Sequence, residues 1–321
     1  MTTRCGGLCS ASLLVLFALF ANTAAGPRDP EWKLVWSDEF DGKDIDKTKW
    51  DFDTGNGFYS YDANQWINGW GNDELQYYTR EPENASVKDG MLHIVVIKES
   101  FHGSGYTSAR LKTRKRDGKP LFNKTYGKIE FRAKLPTGQG IWPALWMLPQ
   151  GEKYGSWPLS GEIDVMEARG QEQNKVLGTL HYGSKWPANT HSSRDYTFPN
   201  NGTIADFHVY TLEWEPGEMR WHVDGVCYAT QNSWWISEKS EDPQGRKPSA
   251  EADLIPWPAP FDQPFYLVMN VAVGGKFLGN PDKTTKFPAE MIVDHVRIYD
   301  KVGGYGKPKA RGPENLPFGK P

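Results

Sequence analysis

The sequence predicts an all-β fold, built as a sandwich of two antiparallel sheets, and three observations support this prediction. Short runs of apolar residues alternate with polar residues, which is the period of a half-buried strand. Gly, Pro, Asn and Asp interrupt these runs about every ten residues, as turns do. No segment has the longer period of an amphipathic helix.

Eight runs are predicted as strands: MLHIVVI (91–97), GKIEFRAKL (127–135), ALWML (144–148), EIDVM (162–166), HVYTLEW (208–214), RWHVDG (220–225), FYLVMNVAV (265–273) and MIVDHVRIY (291–299). The sequence has no internal repeat, and no long linker separates these runs. All-β sandwiches of this size often form one unit, so we predict a single domain over these runs.

The N-terminal segment has the composition of a secretory signal peptide. Arg4 precedes an apolar run, and small residues up to Ala25 follow it. A membrane anchor is the weaker alternative, because the run is shorter than the roughly 20 residues that a span needs. We predict a signal peptide at 1–25, one domain at 26–301, and a Gly- and Pro-rich extended tail at 302–321. The mature protein is then secreted, with no membrane segment.

The composition narrows the class of partner. The formal net charge is -3, and the sequence has no basic stripe and no phosphate-binding glycine loop, which argues against nucleic acid and nucleotides. The chain contains 14 Trp and 14 Tyr residues. Flat aromatic faces bind the apolar faces of sugar rings, although a large β-core also uses aromatic residues.

Two features of the sequence matter if the protein is secreted: its cysteines and its N-glycosylation sequons. Cys5 and Cys9 leave with the signal peptide, so Cys227 stays alone and cannot form an intramolecular disulfide. N-glycosylation sequons predict surface loops if the host glycosylates. They begin at Asn84, Asn123 and Asn201.

The stretch GEIDVMEARG (161–170) places three carboxylates among apolar residues. Glu162 and Asp164 share a face of a strand, because side chains alternate, whereas Glu167 would face the other side. A β-bulge near Met166 shifts the alternation by one residue. With that bulge all three carboxylates face the same side.

The spacing of the three acids favours one reaction type. The backbones of Glu162 and Glu167 would lie roughly 13 Å apart, and inward-leaning side chains bring the carboxyl groups to roughly 5–6 Å. The two catalytic carboxyl groups lie ~5–5.5 Å apart in retaining glycosidases and ~6.5–9.5 Å apart in inverting ones, so the estimate favours retention. Asp164 would raise the pKa of whichever neighbour stays protonated.

Two other interpretations of these acids stay open. They could form a solvated acidic strand face, although repulsion makes three acids on one strand unfavourable without a function. A metal site is the other, but the sequence places no histidine at close spacing to them.

The motif EIDVME resembles the signature of glycoside hydrolase family 16 in its bulged form, which is typical of laminarinase-like endo-β-1,3-glucanases. Other segments also resemble that family: LVWSDEFDG (34–42), GNDELQYYT (71–79), YTSARLKT (106–113), GKIEFRAKLPTGQGIWPALWMLP (127–149), FHVYTLEWEPGEMRWHVDG (207–225), FYLVMNVAVGG (265–275) and VDHVRIY (293–299). The resemblance implies a β-jelly roll, in which two curved antiparallel sheets form a concave substrate cleft.

The resemblance also implies roles for the acids. Glu162 corresponds to the nucleophile, Glu167 to the acid/base, and Asp164 assists both. The implied mechanism is a double displacement that retains the anomeric configuration. It needs no cofactor.

Further residues are expected at the cleft. Trp142 and Trp146 lie an even number of residues apart on a predicted strand, so both side chains face the same side, with the small Ala144 between them. This indicates either a sugar-stacking platform or a pair of core residues. The resemblance favours the platform. Five polar residues are expected either to contact sugar hydroxyls or to support residues that do. They are Asn72, Glu74, Arg110, His181 and Asn270.

The resemblance also implies one structural calcium ion on the convex side. Its ligands would be Glu39, the carbonyl of Gly90, and Asp294, since oxygen ligands suit calcium. The sequence itself has no calcium signature.

We therefore predict a secreted, monomeric endo-β-1,3-glucanase that acts on laminarin-like glucans. A non-catalytic β-glucan recognition protein is the alternative, but such relatives typically lose the acids and carry an extra N-terminal module. The same chemistry on mixed-linkage β-1,3-1,4-glucan, agarose, carrageenan or xyloglucan is a third hypothesis. The insert from Trp234 to Trp257 either borders the cleft or decorates its rim.

Overall fold

The computed structural model describes Met1, residues 31–237 and residues 248–318. The predicted signal peptide lies outside these residues apart from Met1, as do residues 238–247 of the insert and the last three residues of the tail. No helix in the described ranges has the length and apolar character needed to cross a membrane.

The described part of the chain contains nineteen strands: β1 (Trp32–Asp38), β2 (Asp51–Asp53), β3 (Gly57–Ser60), β4 (Gln65–Asn68), β5 (Gln76–Tyr78), β6 (Ala85–Lys88), β7 (Met91–Val96), β8 (Tyr106–Ser108), β9 (Arg110–Lys112), β10 (Gly127–Lys134), β11 (Ile141–Pro149), β12 (Glu162–Glu167), β13 (Lys175–Gly183), β14 (Asn189–Thr197), β15 (His208–Glu215), β16 (Glu218–Val223), β17 (Val226–Gln231), β18 (Phe265–Val273) and β19 (Ala289–Lys301). Two short 3-10 turns, Gly69–Gly71 and Glu251–Asp253, complete the secondary structure.

Two large sheets confirm the predicted antiparallel sandwich. The eight-stranded sheet has the order β17-β16-β15-β10-β19-β7-β6, with β1 also paired to β19. The seven-stranded sheet has the order β14-β13-β12-β11-β18-β9-β2. Two small pairs lie outside them: the β3-β4 hairpin and the β5-β8 pair, which is parallel and so departs from the antiparallel prediction.

Each of the eight predicted strands is present, because apolar alternation marks strands that cover the core. Along β10, buried and half-buried residues alternate without a break. All nine residues of β18 are buried, since this strand lies in the middle of its sheet and is covered on both faces. The core between the sheets is rich in aromatic rings, including Trp50, Trp214 and Trp221. Part of the tryptophan content therefore serves packing.

The tail has no strand in residues 302–318 but is docked along its length. Lys309 donates its backbone N–H to Pro216, and Gly312 donates to Asn232. Leu316 packs on the main core. The tail therefore depends on the domain for its position, in agreement with its lack of an apolar pattern of its own.

The sequon at Asn84 ends an exposed turn, but its asparagine side chain points inward. Its side chain is only 2% exposed. The Asn84 amide donates to the Val95 carbonyl and to Thr107 Oγ1, both at 3.0 Å, and its oxygen accepts from Thr79. A glycan at this position would break these buried hydrogen bonds. Asn201 is exposed and Asn123 is half-buried.

Candidate active site

Strand β12 contains a β-bulge at the predicted place. Toward β13, Asp164 pairs with Thr179 and Glu167 pairs with Leu177, so three steps along β12 match two steps along β13. The register toward β11 shifts over the same residues. The predicted bulge near Met166 is confirmed.

The bulge brings the three acids to one face of the sheet. Glu162, Asp164 and Glu167, called the acid row here, pair with residues of β13 that alternate in step. Cross-strand partners in an antiparallel pair point to the same side. Ile163 and Met166 are instead buried in the core. The acid row therefore lies on the open face of the seven-stranded sheet, the face turned away from the eight-stranded sheet.

A tryptophan from the opposite sheet stabilises the bulge. A bulge interrupts the ladder of backbone hydrogen bonds, and the Trp221 indole N–H donates to the Asp164 carbonyl at 2.9 Å. Gly178 makes room for this indole, because a Cβ there would lie 2.3 Å from Trp221 Cδ1. Neither residue has a sequence signal for this role, since the contact crosses the core.

His181 supplies a positive charge to the acid row. Its Nε2 lies 3.4 Å from Asp164 Oδ2 and 3.8 Å from Glu162 Oε1. Burial alone would lower the pKa of His181, but the carboxylates of Glu162 and Asp164 outweigh it and raise the pKa to about 10. The imidazole is therefore protonated at neutral pH, and it offsets part of the repulsion within the acid row.

The acids respond to this environment in different ways. Burial, followed by the charges of Glu167 and Glu162, raises the pKa of Asp164 well above its usual range. Burial and the charge of Glu162 also raise the pKa of Glu167, while His181 lowers it. The sequence-based expectation that Asp164 raises the pKa of its protonated neighbour needs correction: Glu162 has that effect on Glu167, and Asp164 itself favours its protonated form.

Two indole N–H groups hold the outer carboxylates. Trp142 Nε1 donates to Glu167 Oε1 at 3.1 Å. Trp157 Nε1 donates to Glu162 Oε2 at 2.6 Å, although its ring is 44% exposed. Trp157 is a residue that the sequence analysis missed. Its position five residues before Glu162, in the loop that leads into β12, was the available signal.

The floor beside the acid row is an aromatic stack around Arg110. Its guanidinium lies 4.6 Å from the ring centres of both Trp70 and Trp146. Asp53 pairs with Arg110 Nε at 3.1 Å. One face of Trp146 is therefore covered by arginine, and Trp142 packs on Phe277 at 4.7 Å. Trp142 and Trp146 lie on the same open face, as predicted. Their use as a platform for sugar rings remains a prediction.

The other predicted polar residues lie within or just below this floor. Asn270 accepts from Trp146 Nε1 at 2.7 Å and donates to the Tyr78 hydroxyl at 2.9 Å. Glu74 accepts from Asn72 at 3.2 Å and from Gln76 at 2.6 Å, and burial raises its pKa. These contacts position the floor, which is the supporting role that the sequence analysis left open. Tyr78 and Gln76 were not predicted.

One group among the described residues has the geometry of a metal site. Glu162, Asp164 and His181 offer ligand atoms within 4.8 Å of one another. The sequence-based argument that no histidine lies near the acids is wrong, because β13 pairing brings His181 beside them. The function proposed below uses these three side chains without a metal.

The implied calcium ligands meet at β19, but their carboxylates have other partners. Glu39 accepts two hydrogen bonds from Arg297, at 3.0 and 2.8 Å. Asp294 pairs with Arg132 at 3.0 Å. Gly90 lies in the turn between β6 and β7, where β7 pairs with β19. This arrangement does not fit a calcium ion unless both arginines move, and calcium has no part in the function proposed below.

A β-sandwich with acids, a histidine and an aromatic floor on its open face is the arrangement expected of a glycoside hydrolase. The model of the family "Glycosyl hydrolases family 16" matches residues 72–244. The chain belongs to glycosyl hydrolase family 16.

Relatives and solved structures agree with this assignment. A beta-glucanase of Rhodothermus marinus is 45% identical over 276 residues, which are 84% of this chain and 86% of the relative. Glucan endo-1,3-beta-glucosidase A1 of Niallia circulans is 43% identical over 282 residues, but the match covers 85% of this chain and only 39% of the relative. The X-ray structure of the laminarinase from Rhodothermus marinus has a TM-score of 0.68 at 44% identity and covers 85% of this chain and 99% of that one.

Proposed function

We propose that the protein is an endo-acting β-1,3-glucanase that cleaves laminarin-like glucans with retention of anomeric configuration. The acid row supports this proposal most directly, because a bulge places two glutamates and an aspartate on one open face. The names of the relatives support the substrate. Two of them are a glucan endo-1,3-beta-glucosidase and a laminarinase.

In the proposed mechanism Glu162 is the nucleophile. The indole N–H of Trp157 and the cation of His181 hold its carboxylate in place. Glu167 protonates the departing glycosidic oxygen while Glu162 attacks the anomeric carbon, which forms a covalent glycosyl-enzyme. Glu167 then takes a proton from water, and the hydroxide displaces Glu162 to release the sugar.

The raised pKa of Glu167 suits the first step, because a general acid must hold a proton near neutral pH. Asp164 also favours its protonated form. A neutral Asp164 adds no repulsion against the charged nucleophile next to it. His181 balances the charge of Glu162 while the site is empty.

A non-catalytic recognition protein is the competing function. It would bind glucan on the same floor and would not need the buried acid row. Repulsion and lost hydration make such a row unfavourable. This chain keeps it with dedicated donors on both glutamates, which favours catalysis.

Side-by-side digestion tests the function. We expect reducing ends to appear rapidly from laminarin and curdlan, more slowly from lichenan, and not from agarose. Anomeric NMR of fresh product should show the β form first. Binding of laminarin without any release of reducing ends would support the recognition protein instead.

The charge of His181 predicts a shift of the pH profile. The His181→Asn variant removes the cation that lowers the pKa of Glu167. The basic limb of kcat/KM against pH, which follows the protonated Glu167, should therefore move to higher pH. His191→Asn is the matched control, because burial and the charge of His181 lower the pKa of His191 and leave it neutral. A limb that stays in place or moves to lower pH would contradict the assigned electrostatics.

We also propose that the protein is exported, on the basis of the composition of residues 1–25. A monomeric state and the absence of nucleic-acid partners are likewise proposals. The chemistry itself needs only the polysaccharide and water.

A further inference from the structure

The β3-β4 hairpin carries aromatic rings that the core does not use. Phe58, Tyr59 and Trp66 are 42%, 43% and 47% exposed, and Tyr61 at the tip is 88% exposed. Tyr59 and Trp66 are cross-strand partners and therefore share a face. Exposed rings grouped on one element usually mark a binding surface.

The base of this hairpin stands at the Arg110 end of the open face. β2, which leads into it, pairs with β9 through Asp53 and Arg110. The Gly69 N–H closes the base by donating to the Asn56 carbonyl at 2.7 Å. The Phe58 ring lies 6.3 Å from Trp70, which itself stacks on Arg110.

The tip of the hairpin is tied to the other side of the acid row. Asp62 accepts a hydrogen bond from the Ser156 hydroxyl. Its carboxylate also lies 4.0 Å from Lys185 Nζ. Ser156 belongs to the loop between β11 and β12, next to Trp157, and Lys185 belongs to the loop between β13 and β14.

The length of the hairpin determines its path. Three inter-strand spacings separate β9 from β12, which is about 14 Å across the sheet. The five residue steps from Gly57 to Asp62 extend at most about 17 Å. Little length is left for a detour around the rim, and the opposite face is covered by the eight-stranded sheet. A hairpin that joins these two sides of the sheet therefore has about the length of a direct path above β18 and β11.

We infer that the β3-β4 hairpin is a strap over the glucan-binding groove, which selects an unbranched β-1,3-glucan chain beside the acid row. The strap is fixed at both ends, so a chain in this half of the groove lies between it and the aromatic floor. Its rings offer apolar faces to sugar rings. A side branch on a bound glucose would collide with the strap.

This inference rests on the proposed function and is tested by removing the strap. One variant replaces residues 58–67 with Gly-Gly, and a second, Asp62→Ala, removes only the tip anchor. Glu290→Ala is the matched control, since it removes a carboxylate that bonds His93 on the eight-stranded sheet. Thermal melting checks that each variant folds.

Two measurements distinguish the outcomes. In a Glu162→Gln background, calorimetry with laminarihexaose should give a Kd at least about fivefold higher without the strap, as expected for the loss of one aromatic contact. With the active enzyme, the rate on β-1,6-branched laminarin relative to linear β-1,3-glucan should rise in both strap variants and stay unchanged in Glu290→Ala.

An unchanged Kd and an unchanged branched-to-linear ratio would overturn the strap. If the variant with the shortened hairpin does not fold, Asp62→Ala tests the strap through the same ratio of rates on branched and linear glucan. A parent protein that neither binds laminarihexaose nor hydrolyses laminarin would instead refute the proposed function.

Discussion

The Glu162→Gln variant is expected to lose about four orders of magnitude or more in kcat. Glutamine has nearly the same shape, and its amide still offers an oxygen to the Trp157 indole. It lacks the negative charge that attacks the anomeric carbon, so no glycosyl-enzyme forms. The steady-state rate of reducing-sugar release from laminarin measures this loss.

A matched control variant shows whether the loss of any carboxylate lowers the rate, or only the loss of the nucleophile. Glu172→Gln removes a carboxylate that pairs with Arg169 at 3.7 Å beyond the end of β12, and its kcat should stay within twofold, a change of about 0.4 kcal/mol. Substantial turnover by purified Glu162→Gln, with wild-type melting behaviour, would show that Glu162 is not the nucleophile.

The Glu167→Gln variant is expected to lose about 10²- to 10⁴-fold on laminarin, because the leaving sugar is no longer protonated. The loss should depend on the leaving group. An aryl glycoside with an acidic phenol needs little protonation, so its glycosyl-enzyme should form at a nearly normal rate and then accumulate as a burst.

Azide provides the second arm of this test. The small anion needs no general base, so it should restore turnover of the glycosyl-enzyme and yield a β-glycosyl azide. Glu162→Gln should show neither the burst nor the rescue. If both variants behave alike on the activated substrate, the assignment of separate roles to the two glutamates fails.

The fold class and eight of the nineteen strands in the described residues were predictable, because they follow from local patterns. Strands that cover the core show apolar alternation, and all eight predicted runs are strands in the structure. β14 escaped prediction because its sequence, NTHSSRDYT, is almost entirely polar. It lies at the edge of its sheet, where polar residues prevent pairing with other chains. Edge position is not visible in a sequence.

The site was predictable only in part for a related reason. The acids of β12 are close in sequence, so strand alternation and one bulge were enough to place them together. The residues that control their charge come from elsewhere in the chain. His181 arrives through strand pairing, and the indole of Trp221 from the opposite sheet donates to the backbone of the bulge.

Tertiary structure also gave some predicted residues partners that the sequence does not show. Asn84 looked like a surface acceptor for a glycan, but buried hydrogen bonds hold its side chain. Glu39 and Asp294 have the oxygen atoms that a calcium ion needs, yet Arg297 and Arg132 neutralise them. In each case the residue type was suitable, and a partner distant in sequence changed what it can do.

The sequence by itself determined the all-β class, eight strands of the two large sheets and the common direction of the three acids, because these depend on periodicity and on a bulge within six residues. Only the tertiary structure decided the protonation of His181, the donors on the glutamates and the contacts of the hairpin tip with Ser156 and Lys185. Charge and contact act through space, and folding sets those distances between segments that the sequence keeps far apart.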